Sequence, residues 1–276
     1  MRVPFSLSWQ SLRLHYRVET PGWVGRYKGS AWRGMWGHAL RNLQLSWYYE
    51  LFENKLSPQH PLGRRMRQGP VPYVIHVPDQ DERVHQGQEL EIQLTLIGRA
   101  QARAGDLEPI FQRMGTDWGP SRVRTRWLGV ETDPVVHWHS EAPLPLSFPL
   151  RVDFETPWVT RGGARPTVDE LVATAAERLG WLSYFFADGS MPGAAQPWRE
   201  LAGEIPVLAG DFAPQPETRF SARQHRKMVL PGWLGNWTFA SLPPEIVPLI
   251  LALPVLGIGK GAAWGMGQLR LSVGSP

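Results

Sequence analysis

The sequence contains no cysteine among its 276 residues. Disulfide bonds, thiolate nucleophiles and zinc sites built from sulfur ligands are therefore excluded. Long apolar segments are also missing: the longest, Ile246 to Ile258, is broken by two prolines and is shorter than the roughly 20 residues that a membrane-spanning helix needs. The first five residues lack the apolar stretch of a signal peptide. We therefore expect a cytoplasmic protein without a membrane span.

Lysine is scarce, because only four of the 29 lysine and arginine residues are lysines. The net charge is only +4, although the pI is about 9.6. The planar guanidinium group of arginine pairs with phosphate and stacks on bases, which suits a nucleic-acid partner. A GC-rich genome also favours arginine, so composition alone leaves the partner open.

The first half of the chain alternates between strand and helix patterns. A period of two predicts strands, and a period near 3.6 predicts helices. The order strand, helix, strand, strand, helix, strand is typical of a ferredoxin-like domain, which we expect to end near residue 140. The predicted elements are a strand Phe5 to Glu19, a helix Gly29 to Leu43, strands Pro72 to Val77 and Leu90 to Ile97, a helix Asp106 to Met114, and a strand Arg122 to Val130.

The first predicted helix has two distinct faces. Ser30 is the expected N-cap residue, because its hydroxyl can accept a bond from a free amide of the first turn. Helical spacing places His38 beside Arg41 and Asn42 and away from the apolar residues. His38 is therefore free to face a ligand. The apolar stripe consists of Trp32, Trp36, Ala39, Leu40 and Leu43.

A proline-rich stretch, 141–149, marks the predicted domain boundary, and the same order of elements follows it with weaker strand signals. We therefore predict an α+β protein with two tandem ferredoxin-like domains, 1–140 and 141–276. The clearest later elements are a strand Leu150 to Phe154, a helix Val168 to Ala187, a strand region Lys227 to Ala240, a helix Pro244 to Leu253 and a strand Gly267 to Val273.

A glycine-rich loop precedes the last strand. Glycines permit positive φ angles and close backbone approach, so successive amides can face a phosphate while Lys260 adds charge. A Walker loop is excluded, because no serine or threonine follows Lys260. The alternative is a tight connection that packs against a helix. The five glycines are Gly257, Gly259, Gly261, Gly265 and Gly267.

These eleven residues, GIGKGAAWGMG, fit the pattern GhGxxxxxGhG, where h is hydrophobic. The sequence thereby resembles the CRISPR precursor-RNA processing endoribonucleases of the RAMP superfamily. Further similar segments are YKGSAWRG from residue 27, GHALR from 37, VPYVI from 71, LIGRA from 96 and RFSARQ from 219. Many relatives carry a cysteine cluster after the first helix, which this sequence lacks.

The resemblance implies a metal-independent cut within CRISPR repeats. A ribose 2′-hydroxyl attacks the adjacent phosphate and leaves a cyclic phosphate and a 5′-hydroxyl. An imidazole can transfer the proton and cations can stabilise the phosphate, so His38 is the best catalytic candidate. Tyr27 and Lys28 are further candidates, as a phenol and an ammonium that orient the hydroxyl or hold phosphate. The alternative for His38 is a histidine whose hydrogen bonds are satisfied by a neighbouring residue. The alternative for Tyr27 and Lys28 is an exposed loop without a catalytic role.

Arginines elsewhere indicate how RNA is held. Arg122, Arg124 and Arg126 alternate along a predicted strand and project from one face, although a solvated face explains them equally well. Arg41 and Lys260 are further candidates for RNA binding. The other histidines show no metal-ligand spacing, so we expect no metal and no cofactor. A second basic cluster consists of Arg219, Arg223, His225, Arg226 and Lys227.

Three functions remain in competition. The first is a processing endoribonuclease that stays bound to the 3′ hairpin of the crRNA, with other Cas proteins as partners in an effector complex. The second is a RAMP subunit that binds crRNA without cutting, for which His38 is dispensable. The third is an unrelated ferredoxin-like protein whose glycine loop only makes a turn.

Overall fold

The computed structural model describes residues 5–63, 66–114, 118, 121–141, 146–221 and 226–274. The chain divides into two compact units. The N-terminal unit comprises residues 7–137 and 185–187, as far as they are described. The C-terminal unit comprises the described parts of 1–6, 138–184 and 188–276. Each unit is built around its own antiparallel sheet.

The N-terminal unit pairs a sheet with two helices. Its main sheet has the strand order β3-β5-β1-β6, all antiparallel, and β7 also pairs with β1. A small ladder joins β2 to β4. The strands are β1 Ser6–Val18, β2 Gly22–Trp23, β3 Tyr73–His76, β4 Arg83–Val84, β5 Glu89–Ile97, β6 Thr125–Thr132 and β7 Val136–His139, and the helices are α1 Gly29–Asn42 and α2 Ala104–Arg113.

The central strand β1 has one buried face and one solvent-exposed face, as its alternating sequence predicts. Leu12, Leu14 and Tyr16 are almost fully buried. Arg13 and Arg17 alternate with these residues and lie on the opposite face, with side chains 36% and 43% exposed. Pairing on both sides of β1 fixes this register, because a slip of one residue would move every apolar side chain into water.

Helix α1 is anchored by two tryptophans. Trp32 and Trp36, one turn apart, have no exposed surface. The Trp36 ring meets Phe52 and Tyr73 edge-on, with centroids 4.8 and 5.0 Å away. Gly37 permits this approach, because a Cβ there would lie 2.9 Å from a carbon of the Phe52 ring. The aromatic stripe therefore determines which face of α1 remains outside.

The C-terminal unit has a four-stranded antiparallel sheet in the order β13-β8-β12-β9 and a separate hairpin, β10-β11. Its long helix α3 and its apolar helix α5 contribute most of the buried aliphatic side chains. The strands are β8 Leu150–Phe154, β9 Val207–Pro214, β10 Glu217–Ser221, β11 Arg226–Leu230, β12 Trp233–Phe239 and β13 Leu269–Val273, and the helices are α3 Val168–Phe186, α4 Gln196–Ala202 and α5 Val247–Leu256.

Arg178 on α3 fixes the end of α5. Its Nε and Nη2 atoms donate to the carbonyl oxygen of Leu256 at 2.9 and 2.5 Å. A cation at a helix C-terminus is favourable, because the last carbonyls lack partners within the helix. Burial lowers the pKa of Arg178 to about 10, so the guanidinium stays charged at neutral pH. The chain then leaves α5 at a defined point, directly before the glycine-rich loop.

Most of the predicted elements are confirmed, with boundaries that shift by one to three residues. The cap of α1 is a correction: the helix begins at Gly29 after Lys28, and no side chain caps it, so Ser30 lies inside the helix. Leu43 is a second correction, because it follows the helix and is 40% exposed. The predicted strand from Arg122 begins only at Thr125.

Further findings concern the C-terminal unit and the chain as a whole. The predicted strand region 227–240 is two strands, β11 and β12, and α5 continues past Pro254. Strands β9 and β10 and helix α4 had no prediction. The domain boundary at residue 140 stays a prediction. Among the described residues, no helix combines the length and the apolar character that crossing a bilayer requires.

We expect Trp36→Ala to lower the free energy of unfolding by about 3–5 kcal/mol, because a large cavity would open between three aromatic rings. Urea unfolding followed by circular dichroism measures this change. Trp23→Ala is the matched control, since Trp23 is 43% exposed and its loss should cost about 0.5 kcal/mol or less. Equal losses in the two variants would contradict the anchoring role of Trp36.

Candidate functional site

His38 lies on the outer face of α1. Its side chain is exposed, whereas Trp36 and Gly37 beside it are buried. Among the described residues, no group forms a hydrogen bond or ion pair with its imidazole. The structure therefore places His38 away from the aromatic stripe, as helical spacing predicts. An exposed imidazole without a protein partner is available to accept or donate a proton.

Arg41 follows His38 by three residues on the same helix. Its side chain is 66% exposed. Nη2 donates to the Tyr48 hydroxyl at 2.7 Å, and the guanidinium carbon lies 5.0 Å from the centre of the Tyr48 ring. Glu53 is a distant partner at 3.5 Å. The stacked guanidinium keeps several N–H groups for a ligand, since it carries five.

Lys28 and Tyr27 do not join His38, which corrects the expectation for both residues. The Lys28 side chain has no exposed surface, and Nζ donates to the backbone oxygen of Asp79 at 2.7 Å. Burial lowers the pKa of Lys28, and the nearby Asp79 carboxylate partly offsets this effect. The Tyr27 hydroxyl is also buried. Lys28 precedes His38 by ten residues, which is about 15 Å along the helix axis. The two side chains therefore cannot hold the same phosphate.

Arg122, Arg124 and Arg126 are exposed, and Val123 and Thr125 between them are buried. The alternation is therefore confirmed, although Arg122 lies in a turn with a φ of +49°. None of these three guanidinium groups has an ion-pair partner in the described part of the chain. By contrast, Arg13 and Arg17 on β1 bind carboxylates, at 2.9 Å to Asp133 and 2.6 Å to Glu89 respectively. The edge at β6 therefore carries unneutralised positive charge.

The second basic cluster is only partly described. Arg223 and His225 lie outside the described residues. Arg219, Arg226 and Lys227 belong to the β10-β11 hairpin, but their side chains also lie outside the described part. Their expected role in RNA binding stays a prediction.

The five glycines of the loop all have positive φ angles. The values are +62°, +77°, +91°, +88° and +62° for Gly257, Gly259, Gly261, Gly265 and Gly267. Side chains also have no room here, because a Cβ on Gly259 would lie 2.5 Å from the Trp158 indole. Backbone conformation and internal packing together account for the glycine density.

Most loop amides are already used inside the protein, which corrects the expectation of a long amide cradle. Lys260 N donates to the oxygen of Val159, and Gly267 N donates to the oxygen of Pro157, at 3.2 and 3.0 Å. The amide of Ile258 donates to the carbonyl oxygen of Gly267 across the loop at 3.0 Å. Amides that donate within the protein cannot face a phosphate as well.

The tip of the loop is different. Lys260 is exposed. The amides of Gly259, Gly261, Ala262 and Ala263 donate to no group among the described residues. The part of the loop that is suited to an anion is therefore a short stretch around Lys260, smaller than the sequence indicated.

The residues that shape the loop could not be found from the sequence. Trp158 lies beneath Gly259, and the side chain of Gln268, only 1% exposed, lies beneath Gly257. No motif marks either residue: Trp158 acts through a contact across about 100 positions, and Gln268 directly follows the loop, just before β13. In the described part of the chain, no group of three acidic or histidine side chains is arranged to hold a metal.

Two protein-family models match separate parts of the chain. Residues 148–269 match the family model of the CRISPR-associated endoribonuclease Cas6. Residues 7–140 match a second model, described as an N-terminal domain. Curated proteins gave no match to this chain.

Solved structures share the fold at low sequence identity. A partial Cas6-RT-Cas1–Cas2 complex contains a chain with 11% identity and a TM-score of 0.64, covering 99% of this chain and 47% of that one. This chain therefore spans about half the length of that relative. Thermus thermophilus Cas6 (TTHB231) has 16% identity and a TM-score of 0.57, with 99% of both chains covered. A Cas6 (TTHA0078) product complex has 17% identity and a TM-score of 0.54, covering 96% and 99%.

We expect Gly259→Ala to destabilise the C-terminal unit, because the new Cβ would collide with Trp158 as well as strain the backbone. Gly162→Ala is the matched control, since Gly162 also has a positive φ but open space around it. Thermal unfolding should show a loss for Gly259→Ala that exceeds the control by about 1–3 kcal/mol. Identical losses would show that strain alone matters and that Trp158 does not support the loop.

Proposed function

We propose that this chain is a CRISPR-processing endoribonuclease of the Cas6 type and that it cuts precursor RNA within the repeats by attack of a ribose 2′-hydroxyl on the adjacent phosphate. The products are a cyclic phosphate and a 5′-hydroxyl. The family match over residues 148–269 carries this proposal. The described residues support it by offering an exposed imidazole and unneutralised arginines.

In the proposed reaction, His38 transfers the proton. The attacking 2′-hydroxyl must lose a proton and the leaving 5′-oxygen must gain one, and an imidazole is suited to either transfer. Arg41, three residues further along α1, is placed to stabilise the negative charge that grows on the phosphate. Tyr27 and Lys28 act instead as supports of the segment before α1, because the Lys28 ammonium is buried against Asp79.

RNA is held chiefly through its phosphates. Arg122, Arg124 and Arg126 provide three exposed cations at one edge of the N-terminal sheet, and Lys260 provides a fourth in the C-terminal unit. A structured repeat is recognised largely by shape and backbone, so such contacts suffice without base-specific pockets. We propose that the cut RNA stays bound by its 3′ hairpin and is passed to other Cas proteins in this form.

Both units are proposed to be ferredoxin-like. In the N-terminal unit, the four main strands in chain order are β1, β3, β5 and β6, and in space they lie in the order second, third, first, fourth. In the C-terminal unit, β8, β9, β12 and β13 repeat this order, with α4 and the β10-β11 hairpin as insertions. The same spatial order in two α+β units supports a tandem arrangement.

A non-cleaving crRNA-binding subunit is the second candidate. The burial of Lys28 and of the Tyr27 hydroxyl favours it, because His38 then lacks the two auxiliary groups that the sequence indicated. In this case, the arginines and the loop tip keep their roles and His38 is dispensable.

The decisive experiment is cleavage of RNA that carries a CRISPR repeat from the same genome, in excess EDTA. We expect the wild type to cut, and His38→Ala to cut about 100-fold or more slowly while it binds RNA with similar affinity, because only proton transfer is lost. His85→Ala is the control, since His85 is an exposed histidine of the same unit. Full activity of His38→Ala would exclude His38, and binding without cutting by the wild type would establish the second candidate.

A second experiment tests the phosphate contacts. Replacing Arg122, Arg124 and Arg126 with alanine should reduce the slope of log affinity against log salt by about 2–3, since each lost contact with a phosphate releases about one counterion fewer. Arg13→Ala should change the slope by less than about 0.5, because Glu131 and Asp133 already neutralise Arg13. An unchanged slope in the triple variant would mean that the arginines form only a solvated face.

A further inference from the structure

Helix α1 contains an exposed glycine, Gly34, for which the described residues give no packing or conformational reason. A Cβ built on Gly34 would meet no atom within 4 Å, and its φ angle is not in the positive range. A glycine in a helix interior costs about 1 kcal/mol relative to alanine. Alanine would fit the same backbone in open space. The protein therefore keeps a destabilising residue at a position where a better helix former has room.

Gly37 on the same helix is a glycine that packing inside the protein explains. A Cβ there would lie 2.9 Å from the Phe52 ring, so packing alone requires glycine. No comparable neighbour exists for Gly34 among the described residues. The described fold therefore does not require glycine at residue 34, and the bare backbone there is open to a ligand that approaches closely.

The position of Gly34 relates it to His38. The two residues are four apart, so they share one face of the helix. Helical side chains lean towards the N-terminus, so the imidazole of His38 extends over the turn that holds Gly34. Because residue 34 has no side chain, the surface beside the imidazole is bare. Arg41 borders the same face one turn further on.

We propose that Gly34 forms the floor on which the ribose–phosphate backbone of the RNA rests while the scissile bond lies against His38. This proposal rests on the proposed function and adds to it a residue that positions the substrate. A methyl group at residue 34 would lift the strand away from the helix by roughly 1 Å or more, because the strand would then rest on the methyl group and not on the backbone. A displacement of this size is costly, because reacting atoms must lie about 3–3.5 Å apart and a 1 Å error costs about 100-fold in rate.

Gly34→Ala and Gly34→Leu are the test variants, and Gly105→Ala and Gly105→Leu are the matched controls. Gly105 lies in α2, is exposed, and likewise has no atom within 4 Å of a built Cβ. All four variants should unfold at or above the temperature of the wild type, because each replaces a helical glycine in open space. In single-turnover cleavage of repeat RNA, Gly34→Ala should be at least 10-fold slower and Gly34→Leu about 100-fold slower. The controls should cut at the rate of the wild type.

Each outcome decides the proposal separately from the proposed function. Equal cleavage by the Gly34 and Gly105 variants, with an active wild type, would overturn it and leave the endoribonuclease intact. A lower unfolding temperature for Gly34→Ala alone would also overturn it, since an internal contact would then explain the glycine. If the wild type binds repeat RNA without cutting, affinity takes the place of rate: weaker binding by the Gly34 variants alone supports the proposal, and equal binding overturns it. If the wild type does not bind repeat RNA, both proposals fail.

Discussion

The arrangement of helix α1 depends on one contact, the burial of Trp32 and Trp36 among Phe52, Tyr73 and Phe111. Two tryptophans one turn apart leave a helix almost no freedom to rotate about its axis. Exposing either ring would cost several kcal/mol, against a typical total stability of 5–15 kcal/mol. His38, Arg41 and Gly34 therefore face outward because the opposite face cannot. The orientation of the candidate site is therefore a consequence of core packing, and the bond from Arg33 Nε to the Tyr73 hydroxyl at 2.6 Å adds to it.

Local periodicity explains why much of the fold could be predicted from the sequence. Strand β1 shows an unbroken alternation from Leu12 to Val18, and its predicted range differs from the observed one by a single residue at each end. The failures occurred where a distant contact overrides a local signal. Ser30 is a good cap residue by type, yet the cap position of α1 is Lys28, two residues earlier, where Asp79 from 51 positions away binds the lysine side chain. No pattern within a window of a few residues carries that information.

The same distinction separates the parts of the site. The exposure of His38 follows from helical spacing alone, so the sequence predicted it. The burial of Lys28 and the use of the loop amides depend on Asp79, Pro157 and Val159, which are far away in the chain. A lysine and a run of glycines look available in any sequence. Only the packed structure reveals which of their donors are already occupied, and this is why the predicted phosphate cradle shrinks to the surroundings of Lys260.

Glycines in this protein accordingly fall into two kinds, and they carry different information. The glycine-rich loop attracts attention in the sequence, yet each of its five glycines is required by a positive φ angle, and Gly259 also by the Trp158 ring beneath it. These requirements would hold in a protein that binds nothing. Gly34 stands out less in the sequence, as the last residue of the segment YKGSAWRG, but neither conformation nor packing among the described residues demands it, and it lies one turn from an exposed histidine. Its position beside His38 distinguishes it from Gly105, which is equally exposed and unconstrained, and close approach of a ligand to the helix backbone at this place would give the glycine a role that the described fold does not.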